Sequence, residues 1–486
     1  MRCGDHVRSQ ECHDHLKLHG RAHDTIIRYD DPVVQSGDVL ADRFVIDDDT
    51  RRGGIGVVYR GWDLEAEQAV AIKFLTKLSP NDVKRFEREA DLLAEADLPG
   101  VVRHVQHGTT EDGRPYLVMQ WLDGETVGAR LESRGFDLAE AVALVVAIAT
   151  PLAALHARGL VHRDLKPENL ILASDAPESV VLIDFGLART TIASDTRLTT
   201  TGCILGTPGY MAPEQIRAEP EIDARADVFA LGCVLYECLT GYAAFAGGNF
   251  FAVRTKILLS SPTAVRALCP EAPPALEALV EAMIAKRTSD RPPDAAATAT
   301  ALRALGALPP SPRRRWHTTR PETLRASWAP RPEGATHVFE RWSGIVLVDT
   351  AGAGDSVGER DALATELAAR GDELRRVARG ARLELLDGAL VAIVPGSSER
   401  RDLARQLVNV ARGLAAVLPL AIVIAASGDE PFDELVDRAA ESLDTLARAA
   451  MFGDTQRAIF LDLGTGDALG QDLPLVRYAA GYRIAT

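Results

Sequence analysis

The stretch His162-Arg163-Asp164-Leu165-Lys166-Pro167-Glu168-Asn169 sets a carboxylate (Asp164), an ammonium (Lys166) and a carboxamide (Asn169) within six residues. Pro167 between them forbids a continuous helix, so the three polar groups belong to a shaped loop. Such a loop can gather a proton acceptor, a cation and an amide oxygen around one reacting centre. Beyond it, the apolar run Val180–Ile183 ends in Asp184-Phe185-Gly186, a strand with a carboxylate at its tip suited to a hard cation such as Mg²⁺. Upstream, Arg51-Arg52-Gly53-Gly54-Ile55-Gly56-Val57-Val58-Tyr59 reads as a glycine-rich turn entering a β-branched strand. Glycines there let the backbone bring N–H groups close to phosphate oxygens, although a turn of this kind is also an ordinary hairpin. Lys73 closes the short apolar strand Val70-Ala71-Ile72-Lys73 and, alone, reads as an edge charge.

These groups need elements to hold them. Residues 81–96 read as a helix with Glu87 and Glu89, either of which could pair with Lys73. The chain has 486 residues, enough for two to four domains, and its 47% hydrophobic and 25% charged residues exclude wholesale disorder. A net charge of −15 argues against general nucleic-acid binding, which needs a basic surface. The apolar runs 141–155 and 413–426 fall short of the ~18 residues of a membrane span. The N-terminus lacks the apolar core of a signal peptide, and six scattered cysteines without a CxxC pair fit a reducing cytoplasm. Residues 1–38, polar and His-rich, read as a flexible leader. Residues 306–343, with six prolines and seven arginines, read as a semi-rigid linker, solvated in preference to docked by its basic charge on an acidic domain face. The globular parts are then 39–305 and 344–486.

With Gly206-Thr207-Pro208-Gly209-Tyr210-Met211-Ala212-Pro213-Glu214 added, the motifs of 39–305 fall in one order: glycine-rich loop, VAIK, HRDLKPEN, DFG, APE. The chain resembles a eukaryotic-type (Hanks-type) bacterial Ser/Thr protein kinase. The resemblance implies an α+β, two-lobed kinase fold with a β-rich N-lobe and a helical C-lobe. It also implies ATP and Mg²⁺, protein substrates, and cytoplasmic signalling. Residue by residue it assigns Asp164 to the substrate hydroxyl and Lys166 to the γ-phosphoryl. Asn169 and Asp184 become the metal ligands. Gly53, Gly54, Gly56, Val58, Ala71, Lys73, Glu89 and the backbone of Gln120 and Leu122 become the ATP site, with Met119 as gatekeeper. Arg51 stands where the family has its first loop glycine, which should perturb the turn and weaken ATP affinity. Arg163 before Asp164 marks kinases switched by activation-loop phosphorylation, here at Thr199 or Thr201. Thr207 favours Ser/Thr acceptors, Glu214 would pair with Arg291, and Asp227 would brace the catalytic loop.

Residues 344–486 carry a strand ending at Asp349 and a hairpin over 382–394 turning at Asp387-Gly388. A helix over 399–416, a strand over 420–425 and a further helix through Leu435–Ala450 follow. This pattern predicts an α/β sandwich with a mostly antiparallel sheet, and it resembles a degenerate class III nucleotide cyclase domain. Asp349 and Asp387 match its metal carboxylates, but Leu383, Asp437 and Glu441 replace its lysine, asparagine and arginine. Two carboxylates would repel a triphosphate, so the domain reads as a regulatory or homodimerising module, with an unrelated α/β regulatory domain as the alternative. Three functions therefore compete: an active kinase, a pseudokinase scaffold and a cyclase. The intact Lys73, Asp164, Asn169 and Asp184 favour the first.

Overall fold

The computed structural model describes residues 27–28, 34–52, 56–75, 77–78, 98–183, 208–217, 219, 221–247 and 250–317. It adds Phe86, Ala90, Asp91, Leu93 and Ala94 from the helix between them. Further along it describes 342–349, 374, 376, 381–386, 389–397, 400–417, 422–427, 459–461, 475–478 and 481–484.

An antiparallel six-stranded sheet forms first: β1 (Val39–Leu40), β2 (Phe44–Arg52), β3 (Gly56–Asp63), β4 (Gln68–Leu75), β5 (His104–Thr109) and β6 (Pro115–Gln120), ordered β1-β2-β3-β4-β6-β5. Its strands alternate, and the register decides which side chains share a face. Val58 lies opposite Lys73, Lys73 opposite Leu117, and Ala71 opposite Met119. The other face carries Val57, Tyr59, Val70, Ile72, Phe74, Tyr116 and Val118, which close a separate core with Leu40, Phe44 and Ile46. Leu117 and Met119 instead join the main core, with Phe86, Ala90 and Leu93. The Lys73 face is thus the one turned toward the rest of the molecule.

The helical part is built from α1 (Val127–Ser133), α2 (Leu138–His156), α3 (Pro213–Ile216), α4 (Arg225–Thr240), α5 (Phe250–Leu259), α6 (Pro274–Met283) and α7 (Ala295–Arg303). A small antiparallel sheet joins β7 (Glu125–Thr126), β8 (Leu170–Leu172) and β9 (Val180–Leu182). α2 starts at a capping box in which Asp137 Oδ1 accepts from the Glu140 N–H at 2.9 Å and Glu140 Oε2 from the Asp137 N–H at 3.0 Å. That cap extends the helix to 19 residues, so by length and composition it could cross a bilayer, unlike the shorter run read from the sequence. Its apolar residues Leu144, Val145, Ile148 and Leu152 are wholly buried in the main core. α4 is buried along its length from Ala226 to Thr240, as expected of a helix surrounded by others.

Two sequence expectations give way. Ile27–Arg28 pairs antiparallel with Lys77–Leu78 as a separate two-stranded sheet and Val34 packs on the small core, so parts of the leader make structured contacts. Residues 311–317, expected to be solvated, run against the helical part instead. Arg314 and Phe136 exchange backbone hydrogen bonds, because an extended arginine- and proline-rich segment meets unsatisfied carbonyls there.

Further on, β10 (Trp342–Asp349), β11 (Arg382–Leu386), β12 (Ala389–Ser397), β13 (Ile422–Ser427), β14 (Ile459–Leu461), β15 (Leu475–Tyr478) and β16 (Gly481–Ile484) form a seven-stranded sheet. Its order is β11-β12-β10-β13-β14-β16-β15, and among these pairings only β13 with β14 is parallel. Helix α8 (Arg400–Val417) packs on β10, β12 and β13, burying Leu403, Leu407, Val410 and Leu414. β10 ends at Asp349, which pairs with Ala389, and Leu383 pairs with Ala392. Asp387, Asp437 and Glu441 lie outside the described residues.

Candidate active site

Between α2 and β8 the chain makes the loop expected to carry the chemistry. Lys166 Nζ donates to Asp164 Oδ2 at 2.9 Å. Asn169 Nδ2 donates to the Asp164 carbonyl at 2.8 Å and to Asp164 Oδ2 at 3.0 Å. Pro167–Asn169 is a single 3₁₀ turn, the local shape that folds residues 164, 166 and 169 onto one side. The Ile183 N–H donates to the Asn169 carbonyl at 2.9 Å, which ties the chain leaving β9 to the catalytic loop.

The loop is held from below. Asp227, in the first turn of α4 and 1% exposed, accepts from the N–H of His162 at 2.7 Å and of Arg163 at 2.8 Å. It also accepts from His156 Nε2 at 2.9 Å. The Nδ1 of His156 takes the Ala295 N–H at 3.3 Å, which leaves the ring proton on Nε2, facing Asp227. Arg163 has φ +65°, a left-handed conformation that costs a non-glycine residue ~1–3 kcal/mol. Both of its peptide groups are pinned: the N–H by Asp227 and the carbonyl by Gln215 Nε2 at 2.9 Å. The turn that aims Asp164 is therefore held from both sides.

Glu214 and Arg291 meet in a buried, two-pronged ion pair at 2.7 and 2.8 Å, tying α3 to the segment before α7. At the loop's rim, the Tyr210 hydroxyl donates to Glu237 of α4. Burial pushes the Glu237 carboxyl up to about 7, against the opposing pull of the Tyr210 hydrogen bond, with Glu168 adding repulsion. Burial and the Glu237 charge likewise raise the Tyr210 phenol well above its ordinary value.

On the sheet side, Lys73 is buried while Val58 and Ala71 on the same face remain partly accessible. The Gln120 N–H donates to the Arg103 carbonyl at 2.9 Å, so main-chain contacts from Gln120 to a ligand fall to its carbonyl. Leu122 packs on the main core. Arg51 sits within β2, paired with Val58, and Gly56 opens β3; the turn between them lies outside the described residues. Gly53, Gly54, Glu89, Asp184, Thr199, Thr201 and Thr207 lie outside the described residues. Sequence reasoning missed His156, Gln215, Tyr210 and Glu237, whose partners are remote in the chain. A polar residue in the last turn of an apolar helix was the one available hint for His156.

A sequence model of the protein kinase domain matches residues 49–302. Serine/threonine-protein kinase PknL of Mycobacterium tuberculosis (strain ATCC 25618 / H37Rv) is 36% identical over 287 residues, covering 57% of this chain and 70% of that protein. Serine/threonine-protein kinase pkn3 of Myxococcus xanthus is 32% identical over 280 residues, covering 55% of this chain and 51% of that one. The crystal structure of Rad53 1-466 in complex with AMP-PNP aligns with a TM-score of 0.44 at 23% identity, over 53% of this chain and 64% of that one. The match ends before β10, so it assigns nothing to residues 342–486. With the loop, its buried aspartate anchor and the Glu214–Arg291 pair in place over the matched residues, this chain belongs to the protein kinase family and is a serine/threonine-protein kinase.

Proposed function

We propose that the chain binds ATP between its sheet and helical parts and moves the γ-phosphoryl to a protein serine or threonine, using Asp164 and Lys166. The hydroxyl oxygen attacks the γ-phosphorus and the bond to the β–γ bridging oxygen breaks. ADP leaves with that electron pair, and the hydroxyl proton passes to Asp164. The observation that carries this reading is the hydrogen-bonded cluster of Asp164, Lys166 and Asn169. Phosphoryl transfer spreads charge over three oxygens, so a cation 2.9 Å from the base can neutralise the transferring group without leaving the loop. Lys73, with Glu89 as its partner, would hold the α- and β-phosphates under Gly53, Gly54 and Gly56. Val58, Ala71 and Leu122 would line the base.

Asn169 fits a Mg²⁺ site, because its Nδ2 engages Asp164 and its Oδ1, a hard oxygen, is left as the ligand atom. Asp184 would complete the pair, and the ion would supply charge neutralisation at the phosphates. Asp164→Asn in the full chain is expected to abolish phosphate transfer from labelled ATP to a basic protein acceptor while ATP binding persists. Undiminished transfer refutes the assignment.

Thr199 and Thr201 are the proposed autophosphorylation sites, the added charge pairing with Arg163. Mass spectrometry should find phosphate on one of them after ATP treatment and none in Asp164→Asn. The kinase unit is assigned to 39–305, and the buried thiols Cys233, Cys238 and Cys269 support a cytoplasmic setting. The sheet over 342–484 is proposed as a cyclase-like regulatory module that pairs two chains and raises the rate of phosphorylation in trans. Autophosphorylation rates of the full chain and of residues 1–305 that show identical concentration dependence would remove that part.

A further inference from the structure

The segment after α7 is built into the kinase. Pro309, Pro310 and Pro312 keep the chain extended and remove N–H groups that would need partners. The N–H of Arg314 donates to the Phe136 carbonyl at 2.8 Å, that of Trp316 to Leu131 at 2.8 Å, and that of His317 to Gly241 at 2.8 Å. Ser311 Oγ accepts the Leu138 N–H at 2.8 Å. Leu131 lies in the last turn of α1 and Gly241 caps α4, where carbonyls have no partner within the helix, and the strap supplies one. The receiving surface is shaped for backbone. Gly135 has φ +66° and Gly241 φ +77°; a Cβ on them would stand 2.0 Å from the Arg314 carbonyl oxygen and 2.3 Å from that of Arg315.

Its side chains meet acids. Arg313 bonds Glu140 at 2.5 Å and Arg314 bonds Glu271 at 2.6 Å. The Trp316 indole N–H donates to the buried Glu237, and the His317 ring lies 5.3 Å from that of Tyr242. Glu237 also takes the Tyr210 hydroxyl and feels Glu168, which lies inside the catalytic loop between Lys166 and Asn169. α1, whose Leu131 carbonyl the strap engages, itself packs on the Pro167–Asn169 turn, so this surface borders the catalytic loop.

We propose that this acidic, glycine-floored surface takes extended arginine-rich polypeptide, that residues 311–317 are its resident occupant in cis, and that they compete there with the basic flanks of protein substrates. The proposal rests on the kinase activity but not on any single catalytic assignment.

The test uses the full chain and a fluorescent peptide of residues 309–319. The double variant Arg314→Glu/Trp316→Ala should lose amide protection at 314, 316 and 317. It should bind the peptide about tenfold more tightly than the unaltered chain, since a hydrogen bond to a buried carboxylate and an ion pair no longer hold the resident strap. The peptide should inhibit transfer to a basic protein acceptor competitively with that acceptor and not with ATP. Exposed strap amides with no gain in peptide binding overturn the proposal. Binding that leaves the acceptor KM unchanged overturns the competition. If the double variant does not fold, peptide inhibition of the unaltered chain that is competitive with ATP, or absent at saturating peptide, overturns it equally. Failure of the kinase reading itself would appear separately, as no transfer with or without the peptide.

Discussion

Replacing Asp227 with asparagine removes one acceptor atom from a site that needs two. Oδ2 holds both His162 N–H and His156 Nε2–H, and Oδ1 holds Arg163 N–H. Asparagine can keep its oxygen toward the first pair, which sets its own N–H₂ against the Arg163 N–H. A buried donor left unpaired costs ~1–3 kcal/mol, and the two surviving bonds weaken from charged to neutral. The sum is about 3 kcal/mol of stability, read as a lower urea midpoint at unchanged slope. Arg163 is held at φ +65° by that same N–H contact, so releasing it moves Asp164. A displacement of ~1 Å at the base costs about a hundredfold in kcat. The ATP KM should barely change, because Lys73 and its face sit on β4, remote from the contact. An Asp227→Asn chain within about 0.5 kcal/mol and twofold in kcat of the unaltered one would refute the bracing argument.

Three further outcomes follow from particular contacts. Glu237 is raised from 4.5 to about 7, mainly by burial, so the native state favours its protonated form. Its contribution to stability is full below the unfolded value and lost as pH rises through about 7. Glu237→Gln should flatten the fall in urea midpoint between pH 5 and 8, and an unchanged fall counts against this account. Asp63 is held down to about 2, first by the Arg43 fork and also by the N–H groups of Ala66 and Glu65. Its contribution is present above 3.8 and lost as pH falls toward about 2, so Asp63→Asn should lower stability at pH 7 and weaken the acid limb. A denaturation series with an unaltered acid limb would contradict it. Gly232→Ala would put a Cβ 2.8 Å from both Met283 Cβ and Ile284 Cγ2, overpacking α4 against α6. A loss of about 1–3 kcal/mol is expected by thermal melting, and a neutral result would show that α6 can shift.

What was legible in the sequence follows the range of the contacts. Asp164, Lys166 and Asn169 touch one another within six residues, so spacing and one proline sufficed to group them. The sequence places Lys73 at a strand end as an edge charge, but β4 runs on to Leu75 and buries it. His156 and Asp227 are 71 positions apart, Gln215 and Arg163 52, and Leu138 and Ser311 173. No periodicity encodes such pairs; they exist because helices and the strap pack, and the packing is set by the whole core. The course of residues 311–317 has the same origin. Proline and arginine density correctly said extended and basic, but the acidic, glycine-floored surface that receives it is assembled from α1, the turn before α2 and the end of α4.

α4 connects the catalytic loop and the strap, since Asp227 stands in its first turn and Glu237 in its last. Ten residues of helix separate them by ~15 Å, along a rod buried on every side. A rod so enclosed fixes both ends without transmitting small changes between them, because no partner is shared: Asp227 serves His162, Arg163 and His156, while Glu237 serves Tyr210 and Trp316. Asp227→Asn should therefore act on kcat and Glu237→Gln on the acceptor KM. The double variant should show the two effects multiplied, additive in free energy within about 0.5 kcal/mol. A larger deviation would mean that the loop and the strap are coupled through α4, and that releasing the strap also moves the base.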